Sequence, residues 1–268
     1  MNLKVNIIQS ELHWENVDKN LEMFAQKIEA ISTPTDIIVL PEMFNTGFSM
    51  DSKELAETMG GKTVAWMKSQ ATTSNSVITG SLIIEEIPLT GGVRDGFFNR
   101  LIWAQPDGEI FTYDKRHLFR MAGEHNHFSA GEKRLVVPYK GWRICLLICY
   151  DLRFPVWSRN TNDNETPAYD CLIYVANWPA VRKQPWSKLL EARAIENQCY
   201  VIGVNRVGKD GKGIAYSGNS VVVNPKGDVI SSILENADTT ESVALSLTEL
   251  NEFRDKFPVS LDGDEFTL

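Results

Sequence analysis

Arg143-Ile144-Cys145-Leu146-Leu147-Ile148-Cys149-Tyr150-Asp151-Leu152-Arg153-Phe154-Pro155 changes character at its centre. Ile144 to Cys149 is apolar without a break, the length and composition of a strand buried on both faces. Two charges and a proline follow, and proline cannot continue a central strand. This pattern predicts a strand whose last residue is Cys149, with the chain turning out to the sheet edge. Ligands bind at the carboxyl ends of strands in open α/β sheets, so a thiol held there is placed as a nucleophile would be. Taken alone, the run reads more readily with Cys149 as an ordinary small core hydrophobe. Cys145, four residues earlier on the same strand face, reads as core. A reactive thiol needs a base, a cation and an oxyanion site beside it.

Working outward, the 268 residues suit one large domain or two small ones, with ample length for a core. The net charge of −8, from 35 acidic against 27 basic residues, argues against a nucleic-acid partner, which needs a basic face. No apolar run approaches the roughly 20 residues of a membrane span. The N-terminus, Met1-Asn2-Leu3-Lys4-Val5, reads as a strand and not as a signal peptide. Cys145, Cys149, Cys171 and Cys199 lie inside apolar segments, with neither C-x-x-C nor His-paired metal spacing. A reduced, cytoplasmic protein without disulfides is the natural reading.

Taken in order, residues 3–9 read as a strand and 16–31 as a helix capped by Asn16, with Leu21, Phe24, Ala25, Ile28 and Ile31 at helical spacing. Residues 36–40 are a second buried strand ending at Pro41-Glu42, so Glu42 stands past a strand end as Cys149 does. Glu42 alone reads more readily as a solvated loop carboxylate. Phe44 and Phe48 beside it suggest a partly apolar pocket, and such a setting favours a neutral carboxyl group. Residues 61–74 are a helix and 76–85 a strand in which Gly80 and Ser81 allow close approach. A Gly-containing loop over 86–96 precedes a hairpin whose turn is Gln105-Pro106-Asp107-Gly108. Lys115 then ends a strand, and a long loop passes Glu124, His125 and His127 to Gly131.

The second half repeats this plan. Residues 170–175 are a buried strand ending at Ala176-Asn177-Trp178-Pro179; a helix over 184–198 and a strand over 200–205 follow. A second hairpin spans 219–233 about Asn224-Pro225-Lys226-Gly227. Two equivalent α/β halves packed sheet on sheet, with helices outside, explain the doubling. That is one domain over residues 1–268, with a short helix and an extended arm from about residue 247.

Leu40-Pro41-Glu42, Tyr113-Asp114-Lys115-Arg116-His117-Leu118-Phe119 and Cys149-Tyr150-Asp151-Leu152-Arg153-Phe154-Pro155 occur in one chain in this order. So does Leu190-Glu191-Ala192-Arg193-Ala194-Ile195-Glu196-Asn197-Gln198. With these stretches the chain resembles the nitrilase superfamily, the carbon–nitrogen hydrolases, over almost its whole length. Within that superfamily it is most similar to the bacterial omega-amidases of the YafV type. The resemblance implies a four-layer αββα sandwich, a Glu42–Lys115–Cys149 catalytic triad and homodimers. It makes Glu124 a second glutamate that positions the lysine or the substrate. It also implies a small-molecule amide substrate, 2-oxoglutaramate-like, with no metal or cofactor.

The chemistry is coherent on its own terms. A Cys149 thiolate attacks an amide carbonyl to give a thioester. Glu42 takes the thiol proton, passes it to leaving ammonia and then activates water. Lys115 and the backbone N–H of Tyr150 hold the oxyanion, a role whose donors are each worth about 100–1,000-fold in rate. A substrate carboxylate needs a cation; Arg182, Lys183 and Arg206 are candidates, and each reads equally as an ion-pair residue. Phe48, Phe119, Met121 and Trp178 line a pocket or belong to the core. A nitrile or N-carbamoyl hydrolase would use the same triad, and a non-catalytic binding protein could keep the fold. A metal protein using His117, His125, His127 and a cysteine is disfavoured by spacing.

Overall fold

Residues 2–9 pass from alternating to continuous apolar character, and the strand they form, β1 (Asn2–Gln9), passes from half-buried to buried with them. In the computed structural model, which describes residues 2–86, 96–163 and 166–264, β1 lies in a six-stranded sheet. It is joined there by β2 (Ile37–Val39), β3 (Val77–Glu86), β4 (Gly96–Ala104) and β5 (Ile110–Asp114). β1, β2 and β3 are parallel; β4 and β5 follow antiparallel. The second sheet contains β6 (Leu135–Tyr139), β7 (Trp142–Ile148), β8 (Cys171–Ala176), β9 (Tyr200–Asn205) and β10 (Val221–Val223). Its order is β10-β9-β8-β7-β6, with three parallel strands between antiparallel edges.

The pseudo-equivalence of the halves extends to their edges. β11 (Thr239–Ser246) leaves the second half and pairs antiparallel with β1, Asn2 opposite Ser246 and Gln9 opposite Thr239. It stands beside β1 as β6 stands beside β7. Parallel neighbours require crossovers; α1 (Val17–Glu29), α2 (Lys62–Ser74) and α3 (Lys183–Asn197) supply three of the four, and the 3-10 turn Cys149–Arg153 with the short helix Pro155–Ser158 lies in the fourth, between β7 and β8. Asn16 caps α1 by accepting from the Lys19 N–H at 3.1 Å.

Period two sorts the first sheet's side chains into two cores. Val5, Ile7, Ile37 and Val39 join Ile144, Leu146, Ile173 and Ile202 in the cluster between the sheets. Ile8, Ile38 and Ile78 face the other way, onto Leu21, Phe24 and Ile28 of α1 and Val64 and Met67 of α2. Beyond the second sheet, α3 sets Trp186 and Leu190 against β9. A Cβ at Gly203 would stand 2.5 Å from Leu190 Cδ1 and 2.9 Å from the Trp186 ring, so the missing side chain lets α3 pack this closely. The layers are helix, sheet, sheet and helix.

Several expectations change here. β7 ends at Ile148, and Cys149 opens a 3-10 turn, Cys149–Arg153, instead of closing the strand. Cys149 has φ 42°, a left-handed backbone that an extended strand cannot include. The second hairpin is incomplete: beyond β10 its return arm makes one isolated bridge, Val223 to Val229. The 86–96 loop falls largely outside the described residues, as do the last four of the C-terminal arm. α4 (Leu247–Lys256) and a 3-10 turn, Val259–Asp262, precede these.

Candidate active site

Two strand ends meet where the sheets face each other. Past β2, Leu40-Pro41-Glu42 turns sharply: Met43 has φ 42°. Its N–H donates to Ser81 Oγ at 2.9 Å, and the Phe44 N–H to the Ser81 carbonyl oxygen at 3.1 Å. The turn packs on Gly80, where a Cβ would meet both Leu40 and Phe44 at 2.9 Å. Past β7, Cys149 makes the same left-handed turn. Its 3-10 turn is pinned by Asp151, which accepts from the Ile148 N–H at 3.1 Å, the His117 N–H at 3.0 Å and the Tyr113 hydroxyl at 2.7 Å. A non-glycine residue held left-handed costs about 1–3 kcal/mol and persists only where its surroundings impose it. Both bends are so imposed, and both aim a functional side chain inward.

Glu42 is fully buried. Oε1 accepts from Lys115 Nζ at 2.8 Å and Asn99 Nδ2 at 2.7 Å, and Oε2 from the Asn177 N–H at 2.8 Å. Of the apolar surroundings expected from Phe44 and Phe48, Phe48 faces the cavity and the expectation for Phe44 is corrected. Phe44 turns away to the helix-side core, against Phe24 and Trp66, and the carboxylate is held by polar donors. Lys115, next after β5, is buried between two acids, with Glu124 Oε1 at 2.9 Å and Oε2 at 3.0 Å. The Phe48 ring lies 5.0 Å from Nζ. Burial pulls the ammonium pKa down, yet the facing Glu124 and Glu42 outweigh it and hold it above the ordinary lysine value. Glu124 is anchored by the Phe119 N–H as well. Burial raises its pKa; Lys115 opposes this and Glu42 adds to it.

Cys149 is 8% exposed, its Sγ 3.9 Å from the Asn177 carbonyl oxygen. Burial first, then the Glu42 carboxylate, push the thiol well above its ordinary pKa, against the pull of Lys115. Resting Cys149 is thus a thiol, and it needs a base in contact to become a nucleophile. Tyr150 follows at the start of the 3-10 turn, where N–H groups have no acceptor within the turn. Its ring packs on Phe119, centroids 5.0 Å apart.

A cavity of about 600 Å³ leads to this cluster. Lys115, Cys149, Tyr150 and Asn177 face it; Glu42 and Glu124 lie behind. Phe48, Phe119, Met121, Trp178 and Arg182 all line it. Of the three cations considered, only Arg182 belongs. Lys183 pairs with Glu235 at 2.7 Å on the surface. Arg206 is buried, donating to the carbonyls of Val207 and Lys209 at 3.1 and 3.0 Å. His117 pairs with Asp151 at 2.8 Å and stacks on Phe154, while His125 and His127 are exposed.

Three residues escaped the sequence reading: Asn99, Asn177 and Arg153. Asn99 is a polar residue inside an otherwise apolar strand, a costly placement without a partner. Asn177 directly follows β8 as Glu42 follows β2 by three residues, so the strand-end signal that marks Glu42 was there to find it. Arg153 closes the turn that begins at Cys149 and lays its guanidinium over Trp178, 5.0 Å from the ring centroid.

The chain belongs to the carbon–nitrogen hydrolase family, whose model matches residues 4–255. It is 47% identical to omega-amidase YafV of Escherichia coli (strain K12), over 99% of this chain and 98% of that one. It is 30% identical to 2-oxoglutaramate amidase of Bacillus subtilis (strain 168), over 97% and 96%. The crystal structure of XC1258 from Xanthomonas campestris, a CN-hydrolase superfamily protein with an arsenic adduct in its active site, superposes with a TM-score of 0.95. That pair shares 41% identity over 100% of this chain and 99% of the other.

Proposed function

We propose that the protein is an omega-amidase, releasing ammonia from the terminal amide of short 2-oxo dicarboxylic acid monoamides such as 2-oxoglutaramate. The observation that carries this is the sharing of Lys115 between buried Glu42 and Glu124 beside the Cys149 thiol. The likeness to omega-amidase and 2-oxoglutaramate amidase relatives supports the substrate class.

Glu42 takes the Sγ proton as Cys149 attacks the carbonyl carbon. The C–N bond breaks as Glu42 gives that proton to the departing nitrogen, leaving a thioester and ammonia. Glu42 then removes a proton from water, whose oxygen attacks the thioester; the acid departs and the thiolate recovers the proton. Lys115 Nζ and the Tyr150 N–H stabilise the oxyanion at both tetrahedral stages. Glu124 holds Lys115 in place together with Glu42. Arg182 pairs with the substrate carboxylate, and Phe48, Phe119 and Trp178 enclose the acyl chain.

The protein is further proposed to act as a cytoplasmic homodimer and to fold as a single domain; light scattering tests the subunit count. The activity is tested by following ammonia from 2-oxoglutaramate, glutamine and an aliphatic nitrile, beside Cys149→Ala. Release from the oxo-acid amide that Cys149→Ala abolishes supports the assignment. Release from the nitrile alone overturns it.

A further inference from the structure

The cavity differs at its two ends. The inner end is polar and closed. Glu42, Lys115 and Glu124 are buried, and Asn99 and Asn177 fill the space around the Glu42 carboxylate. Glu42 must reach the departing nitrogen, so a substituent on that nitrogen would have to enter this filled space. The outer end is open and mostly apolar, with Arg153, Arg182 and Lys212 beside its apolar side chains. Met121, Val181 and Ile214 are 76%, 86% and 42% exposed, and all three line the same cavity. They come from three separate segments: the turn Arg120–Ala122, the turn Ala180–Arg182 and the connection after Val207–Lys209. Phe119 and Trp178 continue the apolar wall inward.

Isolated exposed apolar residues need no explanation, but a contiguous apolar rim on a concave site marks ligand contact. A volume of about 600 Å³ falls within the roughly 300–1,000 Å³ of pockets that enclose drug-sized molecules. It exceeds what a five-carbon acid amide fills. Arg153 and Arg182 do not contradict an apolar occupant. Each lies over a ring, Arg153 over Trp178 and Arg182 over Phe119 at 5.5 Å, and among the described residues neither is paired with a carboxylate. A stacked guanidinium presents a flat, weakly hydrated face on which a further aromatic ring can lie.

We propose that the site also hydrolyses primary amides of larger apolar acids, arylalkanamides such as 4-phenylbutanamide, with the aryl group seated on the Met121–Val181–Ile214 rim. This rests on the amidohydrolase reading and extends its acyl side. The step is the same: Cys149 Sγ bonds to the carbonyl carbon, the C–N bond breaks, ammonia leaves with the proton from Glu42, and water hydrolyses the thioester. Selectivity is then strict for the nitrogen and permissive for the acyl chain.

The test measures ammonia or methylamine release from 4-phenylbutanamide, N-methyl-4-phenylbutanamide and 2-oxoglutaramate, in the wild type and in Val181→Ser/Ile214→Ser. Release from the primary aryl amide and not from its N-methyl form is expected. In the double variant, the ratio of kcat/KM for the aryl amide to that for 2-oxoglutaramate falls about tenfold, as lost apolar contact requires. No ammonia from the aryl amide overturns the inference, and simultaneous release from 2-oxoglutaramate leaves the omega-amidase assignment standing. Hydrolysis of the N-methyl amide at a comparable rate, or an unchanged ratio in the double variant, also overturns it.

Discussion

Asn177 is tied twice to Glu42: its N–H donates to Oε2 at 2.8 Å, and its side-chain Nδ2 donates to the Glu42 carbonyl oxygen. The residue directly after β8 thereby fixes the third residue after β2, so the second sheet orients the base carried by the first. The Asn177 carbonyl oxygen also faces Cys149 Sγ at 3.9 Å. Base and nucleophile share one positioning residue.

Asn177→Ala keeps the backbone donor and loses the side-chain one. The Glu42 loop then relaxes, and misplacement of a reacting group by about 1 Å costs about 100-fold. We expect kcat for 2-oxoglutaramate to fall about 10–100-fold with little change in KM. Steady-state kinetics on a variant of unchanged circular dichroism checks this.

Lys115→Met leaves Glu42 and Glu124 facing each other without their shared cation. Breaking a buried pair by removing one partner costs about 3–5 kcal/mol, and loss of an oxyanion donor costs about 100–1,000-fold in kcat. Urea denaturation and kinetics should register both. The double variant Lys115→Met/Glu124→Gln should recover part of the stability and none of the activity.

The Cys149 thiol is raised by burial and by the Glu42 charge. Glu42→Gln removes the second cause and keeps the first, so the thiol pKa moves down while remaining above that of free cysteine. Thiolate absorbance titrated against pH, with Cys149→Ser as the blank, should rise at lower pH in Glu42→Gln than in the wild type. The variant is nonetheless inactive for want of a base.

Gly80→Ala places a methyl 2.9 Å from Leu40 and Phe44, which hold the Glu42 turn. Overpacking of this kind costs about 1–3 kcal/mol. A lower Tm together with a lower kcat is expected, because the displaced segment carries the base.

The elements with strong local signals were legible in the chain itself. α1 has its Asn16 cap and helical spacing, and β7 has an unbroken apolar run. Glu42, Lys115 and Cys149 each stand at or past a strand end in the sequence, but each alone reads as readily as a structural residue, and it is the family resemblance that joins them as a triad. What escaped depends on tertiary partners. Thr239–Ser246 is mostly polar, with Val243 and Leu245 its buried side chains, and becomes β11 because β1 offers it an edge. Asn99 becomes significant only because β4 places it beside Glu42, which is 57 residues away in sequence. The sequence points Phe44 toward the pocket, but the left-handed turn at Met43 sends it to the helices.

The most direct test is to find the acyl group on the nucleophile. Wild type turning over 2-oxoglutaramate is quenched in acid and its peptides are examined by mass spectrometry. A hydroxylamine-labile acyl adduct on the Cys149 peptide, absent from Cys149→Ala along with all ammonia release, is the expected result. Turnover that survives Cys149→Ala, with no adduct in the wild type, would contradict thioester catalysis at this site.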